Sequence, residues 1–118
     1  GISARFDAPH GAALAVLFPF WMSHQLHHDV KRFEQFAINV MGIAAGENAE
    51  ETAKEGIRKL RAYFDSLGLP HSLKTFGIEE KDLDQLVKDV GYNSKGEIGF
   101  FKPLKPEDVL KIYQSALD

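Results

Sequence analysis

Cysteine is absent from the 118-residue sequence, methionine occurs twice and tryptophan once. Without cysteine, no disulfide framework and no thiolate metal site is possible, and a reducing cytoplasm fits the chain. The net charge is −3 and no Lys/Arg cluster interrupts it, whereas a nucleic-acid binder would carry a basic excess. We therefore expect no nucleic-acid partner.

Long hydrophobic runs are also missing. The most apolar stretch, Ala12 to Met22, is too short to span a bilayer and is interrupted by Pro19, so we expect no membrane partner. It has neither a basic leader nor a small-residue cleavage site, which argues against a signal peptide. The composition, 44% hydrophobic and 26% charged, is that of one globular domain. A start at Gly1 without an initiator methionine, followed almost at once by the most apolar segment, predicts a piece of a longer protein.

Apolar residues recur at spacings of three and four, which predicts an all-α fold of about five helices. The predicted helices are 11–29, 30–41, 49–67, 80–90 and 106–117, with a short turn at 72–75 and a glycine-rich loop at 91–106. Pro19 should kink the first helix or split it in two. Asn48 should cap the third helix, and Gly42 and Gly68 should end the second and third. Tyr113 belongs to the apolar side of the last predicted helix.

The first predicted helix is apolar on nearly all sides as far as Met22 and polar from Ser23. A helix that is apolar all round is buried on every side in a complete domain. Where part of its cover belongs to the rest of a longer protein, exposed apolar surface should remain and promote self-association. We therefore expect a homo-oligomer.

His10 is the histidine whose position is most defined by its neighbours. Pro9 restricts the backbone before it, and Gly11 allows a tight turn into the predicted helix. A histidine in such a turn can hold a rigid rotamer, as a metal ligand or a catalytic acid or base must. On the tripeptide alone, a histidine that only helps to cap the turn is the favoured interpretation.

His24, His27 and His28 lie three and four residues apart, so a divalent metal could bridge two of them on one helix face. However, there is no HExxH pattern, and no carboxylate lies inside the triplet. A solvated polar helix end is therefore favoured. His71, in a connector, is expected at the surface.

Aromatic residues are concentrated in the first two predicted helices. They could line a pocket for an apolar substrate, with Phe18 and Trp21 as the candidate residues, although aromatics at helical spacing are more often core. The glycines of GYNSKGEIGFF match neither GxGxxG after a strand nor the phosphate-binding GxxxxGK[ST] loop. The sequence therefore predicts no nucleotide site in this chain.

The stretch PHGAALAVLFPFWM, Pro9 to Met22, resembles the iron-containing alcohol dehydrogenase family, and most of all its butanol dehydrogenase branch. It has the Pro-His-Gly turn, the small-residue helix after it and the Phe-Pro-x-Trp-Met ending. Supporting blocks follow in order along essentially the whole chain: RFEQFAINVMGI, GIRKLRAYFDSLGLPHSLKTFGI and DVLKIYQSAL.

The resemblance implies that residues 1–118 are the C-terminal part of a dehydroquinate synthase-like helical domain, with the dinucleotide-binding domain outside this sequence. It further implies a divalent metal, iron or zinc, held between the two domains by one Asp and three His. His10 matches the last of these ligands, and the triplet from His24 to His28 matches none. As a Lewis acid, the metal would assist hydride transfer between a small alcohol or aldehyde and NAD(P)(H).

One histidine holds a metal weakly at best, so we expect this chain alone to be inactive and to bind no cofactor stably. Its partner would be the rest of the same enzyme. The alternative is a non-catalytic helical interaction or oligomerisation module. The intact Pro-His-Gly turn favours the enzyme, because a degenerate relative would be free to lose His10.

Overall fold

The computed structural model describes residues 2, 6, 9–98 and 103–118 of the chain. Its elements in chain order are α1 (His10–Gln25), a 3-10 turn (Leu26–His28), α2 (Val30–Asn39), α3 (Ala49–Ser66), two further 3-10 turns (Leu73–Phe76 and Glu80–Asp82), α4 (Leu83–Lys88) and α5 (Pro106–Ala116). Within the described ranges the β-structure is limited to an isolated bridge between Ile98 and Leu104. The predicted all-α fold with about five helices is confirmed. In the same ranges no helix is long and apolar enough to cross a membrane.

The predicted loop is present between α4 and α5, although its residues 99–102 lie outside the described part of the chain. Asn93 organises the preceding turn, because its side-chain oxygen accepts from the backbone N–H of Lys95 at 2.9 Å and of Glu97 at 3.0 Å. The bridge between Ile98 and Leu104 then brings the two ends of the loop together at 2.7 and 2.8 Å. The two backbone hydrogen bonds between Ile98 and Leu104 therefore fix the loop on either side of residues 99–102.

α1 runs unbroken past Pro19, so the prediction that proline would split this segment is wrong. An internal proline removes one helical hydrogen bond and costs about 3 kcal/mol. Pro19 itself is buried, and so are Val16 and Met22 on either side of it. Because both halves of α1 pack into the interior, their burial outweighs that cost. The alternative, a kink at Pro19, stays a prediction.

The fourth predicted helix, 80–90, is wrong in its length. The segment begins as the 3-10 turn Glu80–Asp82, and the α-helix covers only Leu83–Lys88. The carboxylate of Asp82 accepts from the backbone N–H of Glu79 at 2.9 Å, which closes a tight first turn. At the other end, the N–H of Val90 donates to the carbonyl of Val87 at 3.3 Å and ends the helix before Gly91.

α2 and α3 pack along each other more extensively than any other pair of helices in the described structure. They meet at Ala37, which is fully buried, and Gly56; a Cβ atom added to Gly56 would lie 2.4 Å from the Cβ of Ala37. The two helices end as predicted, at Gly42 with φ +71° and at Gly68 with φ +78°, where a left-handed backbone favours glycine. The absence of a side chain at Gly56 therefore permits the close helix contact.

Two apolar clusters form the interior. The larger one joins α1 to α4, α5 and the connector after α3, and includes Leu73, Leu86 and Ile112. The smaller one joins the end of α1 to α2 and α3 through Met22, Leu26, Phe33, Ala53 and Ile57. Trp21 packs against both clusters, so α1 is the element that connects the two halves of the interior.

One side of α1 is partly exposed in the described part of the chain. The molecule measures 42 × 36 × 19 Å, and the shortest dimension accommodates about two layers of helices, each about 10 Å across. Leu14 is 51% exposed and Phe18 is 46% exposed. These two side chains are therefore apolar surface on α1, and what covers them in a longer protein stays a prediction.

The N-terminus of α3 is capped as predicted, because the side-chain oxygen of Asn48 accepts from the N–H of Glu51 at 3.1 Å. We expect Asn48→Ala to lower the free energy of unfolding by about 1 kcal/mol, as the N–H group loses its partner. Denaturant unfolding followed by circular dichroism measures this. Ser72→Ala is the control, since Ser72 precedes a 3-10 turn without forming a side-chain cap. Equal losses in both variants would contradict a specific role of the cap.

Candidate functional site

Three of the candidate residues lie in one cavity between α1 and α5. From α1 it is lined by His10, Leu14, Leu17, Phe18 and Trp21. Their spacing of four, three, one and three residues places all five on one side of a helix. The cavity has a volume of about 570 Å³, within the range of sites that bind small molecules.

The opposite wall comes from the C-terminal part of the chain. Leu104, Val109, Ile112 and Tyr113 line it, and each is less than 10% exposed. Asp89, Val90 and Gly91, which follow α4, complete the lining together with Ile98. The cavity thus has a buried, mostly apolar floor and a mouth at the exposed residues of α1. Such a shape suits a short apolar chain with a polar group at one end.

On the α1 side of the cavity, the aromatic side chains pack against each other. The rings of Phe18 and Trp21 lie 5.5 Å apart at an interplanar angle of 31°. On its other side, Trp21 contacts Phe33 of the smaller cluster edge-on, with ring centroids 6.5 Å apart. Aromatic pairs in these arrangements are stabilising beyond their buried area. Trp21 therefore presents a fixed surface to the cavity, while Phe18, which is 46% exposed, packs against it at the cavity edge.

His10 is the first residue of α1 and lies exposed at the mouth of the cavity. The carbonyl of Pro9 accepts the first helical hydrogen bond, from Ala13 at 3.0 Å. In the described part of the chain the imidazole makes no hydrogen bond or ion pair, so the capping interpretation of His10 has no contact to support it. The ring is available for a ligand approaching from outside.

His10 could supply one ligand of a metal ion, but the described residues around it do not form a complete metal site. Among the described residues there is no group of three or more histidine, cysteine or acidic side chains that could hold a metal. Catalytic metal sites have three protein ligands as a rule. If a metal binds at His10, its remaining ligands must therefore come from outside the described residues.

The histidines at the end of α1 do not form a joint site. Nε2 of His24 lies 3.2 Å from the Asp108 carboxylate on α5, and Nδ1 of His27 lies 2.8 Å from the Glu50 carboxylate on α3. The two rings therefore bind acids on different helices. His28 and His71 are exposed. The favoured interpretation, a solvated polar helix end, holds only in part, because the His24 side chain is just 23% exposed and Gln25 is buried. The ion pairs of His24 and His27 also hold this end of α1 against α5 and α3.

Tyr113 is a polar feature of the cavity that the sequence does not reveal, because at helical spacing it is one more residue on the apolar side of α5. It is only 8% exposed. Burial raises the pKa of its phenol, and Tyr92 and the charge of Asp89 raise it further. The hydroxyl therefore keeps its proton at neutral pH and is available as a hydrogen-bond donor.

A second cavity, of about 260 Å³, lies between α1 and α3, and the guanidinium of Arg61 stacks over the ring of Phe20 there at 4.6 Å. The other cations of its rim have acidic partners on α3. Lys54 lies 3.6 Å from Glu50, and Arg58 pairs with Glu55. Because Lys54 and Arg58 are paired with acids on the same helix, we do not treat this second cavity as a candidate site.

Comparison with known proteins gives consistent matches along the chain. Residues 1–117 match the sequence model of the Fe-containing alcohol dehydrogenase family, C-terminal. The chain is 42% identical over 117 residues to Probable NADH-dependent butanol dehydrogenase 1 of Bacillus subtilis, and 40% identical over 116 residues to NADH-dependent butanol dehydrogenase A of Clostridium acetobutylicum. Each alignment covers 98% of this chain and 30% of the relative.

The fold is also similar to a solved structure. It matches the crystal structure of NADH-dependent butanol dehydrogenase A from Thermotoga maritima with a TM-score of 0.88 at 35% identity. The match covers 99% of this chain and 31% of that one. The chain thus spans about three tenths of the length of the proteins it matches.

Proposed function

Because this chain belongs to the Fe-containing alcohol dehydrogenase family, we propose that it is the C-terminal helical part of a metal-dependent, NAD(P)-linked enzyme that interconverts alcohols and aldehydes. The observation that carries the proposal is the meeting of His10, Phe18 and Trp21 in one cavity. An imidazole at the mouth and apolar walls behind it suit a substrate with a reacting oxygen at one end and a short alkyl chain. The names of the butanol dehydrogenases that the chain resembles support such a substrate.

In this proposal His10 is one ligand of a divalent metal, iron or zinc, and the other ligands belong to the rest of the enzyme. When bound, such a metal supplies Lewis-acid polarisation of the substrate oxygen. The chain's own contribution is to hold the imidazole. Pro9 restricts the backbone before it, and the first turn of α1 fixes the backbone after it. The nicotinamide cofactor would bind in the rest of the enzyme.

Phe18 and Trp21 form the substrate wall in this proposal. Trp21 is fixed by its edge contact with Phe33, so it gives the wall a constant shape. The apolar floor of Leu104, Val109 and Ile112 would exclude water from around the alkyl chain. Excluding water strengthens electrostatic interactions at the reacting end of the substrate.

The exposed side chains of α1 favour a second candidate, a non-catalytic interaction or oligomerisation module. Leu14 and Phe18 are about half exposed, and apolar surface of this kind promotes association. In the enzyme we propose that the rest of the same protein covers this side of α1. We also propose that the enzyme is a homo-oligomer and that it acts in the cytoplasm, where nicotinamide cofactors are available.

Two preparations test the enzyme against the module: the full-length protein that contains this chain, and residues 1–118 alone. We expect alcohol-dependent reduction of NAD(P)⁺ and bound metal in the full-length protein, and neither in the isolated chain, because one histidine cannot retain a metal. Absorbance of the reduced cofactor and elemental analysis measure the two quantities. A full-length protein without either would overturn the proposal in favour of the module, and so would an upstream sequence without further Asp and His ligands.

A further inference from the structure

Trp21 connects the cavity between α1 and α5 to two helices that do not line it. α2 and α3 contribute no described residue to the cavity lining. Among the described residues, Trp21 is the one that both lines this cavity and packs against the smaller apolar cluster. The packing of α2 and α3 therefore reaches the cavity wall at Trp21.

Phe33 of α2 is the ring that contacts Trp21 from this side. Its side chain is 5% exposed, and its ring meets the indole edge-on, with centroids 6.5 Å apart and an interplanar angle of 66°. Edge-to-face pairs at such distances are more stable than their buried area alone explains, and they favour one relative orientation of the two rings. Because Phe33 is buried in a close-packed cluster, its ring cannot move aside for another orientation of the indole.

The backbone that carries Phe33 is held in turn by the contact between α2 and α3. Phe33 and Ala37 are four residues apart on α2 and lie on the same face of that helix. Ala37 is fully buried, and a Cβ atom added to Gly56 of α3 would lie 2.4 Å from its own Cβ. The close approach of the two helices therefore fixes the position from which Phe33 contacts Trp21.

The orientation of the indole matters because it shapes one wall of the cavity. A tryptophan side chain has several staggered rotamers, and the edge contact with Phe33 stabilises the one that the structure shows. Without this contact, other orientations become populated. A ligand that fits one orientation then binds only the fraction of molecules that hold it, and its apparent affinity falls by that fraction.

We propose that Phe33 is a positioning residue for substrate binding, which acts through Trp21 without touching the ligand. The inference rests on the proposed function, in which an alcohol or aldehyde occupies the cavity and its reacting oxygen lies at the His10 end. Loss of one aromatic edge contact corresponds to a change in affinity of about threefold. The effect should appear in KM and leave kcat nearly unchanged, because Phe33 acts on the wall and not on the reacting end.

The first test measures initial rates of the full-length protein that contains this chain, with a linear primary alcohol as substrate. We expect Phe33→Leu to raise KM about threefold. Phe36→Leu is the matched control, because Phe36 lies on the same helix and packs against the same cluster, while the described structure shows no ring contact between Phe36 and Trp21. Its KM should stay unchanged, and an equal rise in both variants would show a general loss of packing and overturn the proposal.

A double-mutant cycle shows whether Phe33 acts through Trp21. In a Trp21→Leu background, Phe33→Leu should cause no further rise in KM, because the ring that it positions is gone. A second threefold rise in that background would overturn the route through Trp21. Thermal unfolding checks that each variant folds, and Phe33→Met, which removes the ring but keeps more of its volume, replaces Phe33→Leu if that protein does not fold.

Fluorine NMR of the full-length protein labelled with 5-fluorotryptophan gives a readout that does not depend on turnover. The Trp21 resonance is the one that Trp21→Phe removes. We expect Phe33→Leu to shift or broaden it, and Phe36→Leu to leave it in place. A moved resonance in a protein that oxidises no alcohol would overturn the proposed function and leave the contact established. An unchanged resonance and an unchanged KM in a folded, active Phe33→Leu protein would overturn the positioning role alone.

Discussion

Replacing His10 with alanine in the full-length protein is expected to remove most of the bound metal and to lower alcohol oxidation by about a hundredfold or more. Loss of a residue that only orients a metal ligand typically reduces metal affinity or activity by about 10- to 100-fold, so loss of a ligand itself should reach at least the upper end. The imidazole is exposed and makes no hydrogen bond to the described part of the chain. The fold should therefore survive the change.

The measurements are metal content by elemental analysis, initial rates, and thermal unfolding of the apo-protein. His71→Ala is the control, because His71 is also exposed but lies in the connector, 3.7 Å from Asp65 and away from the cavity. Loss of metal and activity with an unchanged unfolding temperature indicates a ligand. Retention of the full metal content would refute that role for His10, and a stability loss without metal loss would show that the histidine supports the turn.

Gly56→Ala is expected to lower the free energy of unfolding by about 2 kcal/mol, an unusually large effect for adding one methyl group to a helix. The new Cβ would lie 2.4 Å from the Cβ of Ala37 and 2.8 Å from its backbone Cα. Overpacking of this kind costs about 1–3 kcal/mol, and backbone atoms cannot rotate out of the way as a flexible side chain can. Because alanine itself favours a helix by up to about 1 kcal/mol over glycine, the clash must exceed that gain.

Gly11→Ala is the matched control for the same chemical change. Gly11 also lies in a helix, but in the described part of the chain nothing beyond its own turn of helix lies within 4 Å of the position its Cβ would take. It should leave stability unchanged or raise it slightly. Denaturant unfolding of both variants measures the difference, and a Gly56→Ala protein as stable as the wild type would contradict the close packing of α2 and α3.

Helix positions were predictable where the signals are local. Asn48 and Gly68 bound α3 as expected, because an N-cap and a left-handed glycine act on the backbone next to them. Pro19 was misjudged because its cost is local, while the burial of Val16 and Met22 that outweighs it depends on other helices. The length of α4 was misjudged because Asp82 and Glu79 close a tighter turn than apolar periodicity can indicate.

The candidate site shows the same division. The resemblance of Pro9 to Met22 to a known family singled out His10, and helical spacing by itself places His10, Phe18 and Trp21 on one side of α1. It could not indicate what faces them, since Tyr113 and Leu104 come from the far end of the chain. Nor could it show that His24 and His27 bind acids on two different helices and so do not share a metal.

The sequence by itself therefore determined the helical class, most helix ends and the family, because periodicity, caps and a contiguous motif are all properties of neighbouring residues. Only the tertiary structure decided that one side of α1 is partly exposed in the described part of the chain, that a cavity of about 570 Å³ lies along it, and that Tyr113 lies in the wall of that cavity. These features depend on contacts between residues about a hundred positions apart, and such contacts leave no local pattern in a single sequence.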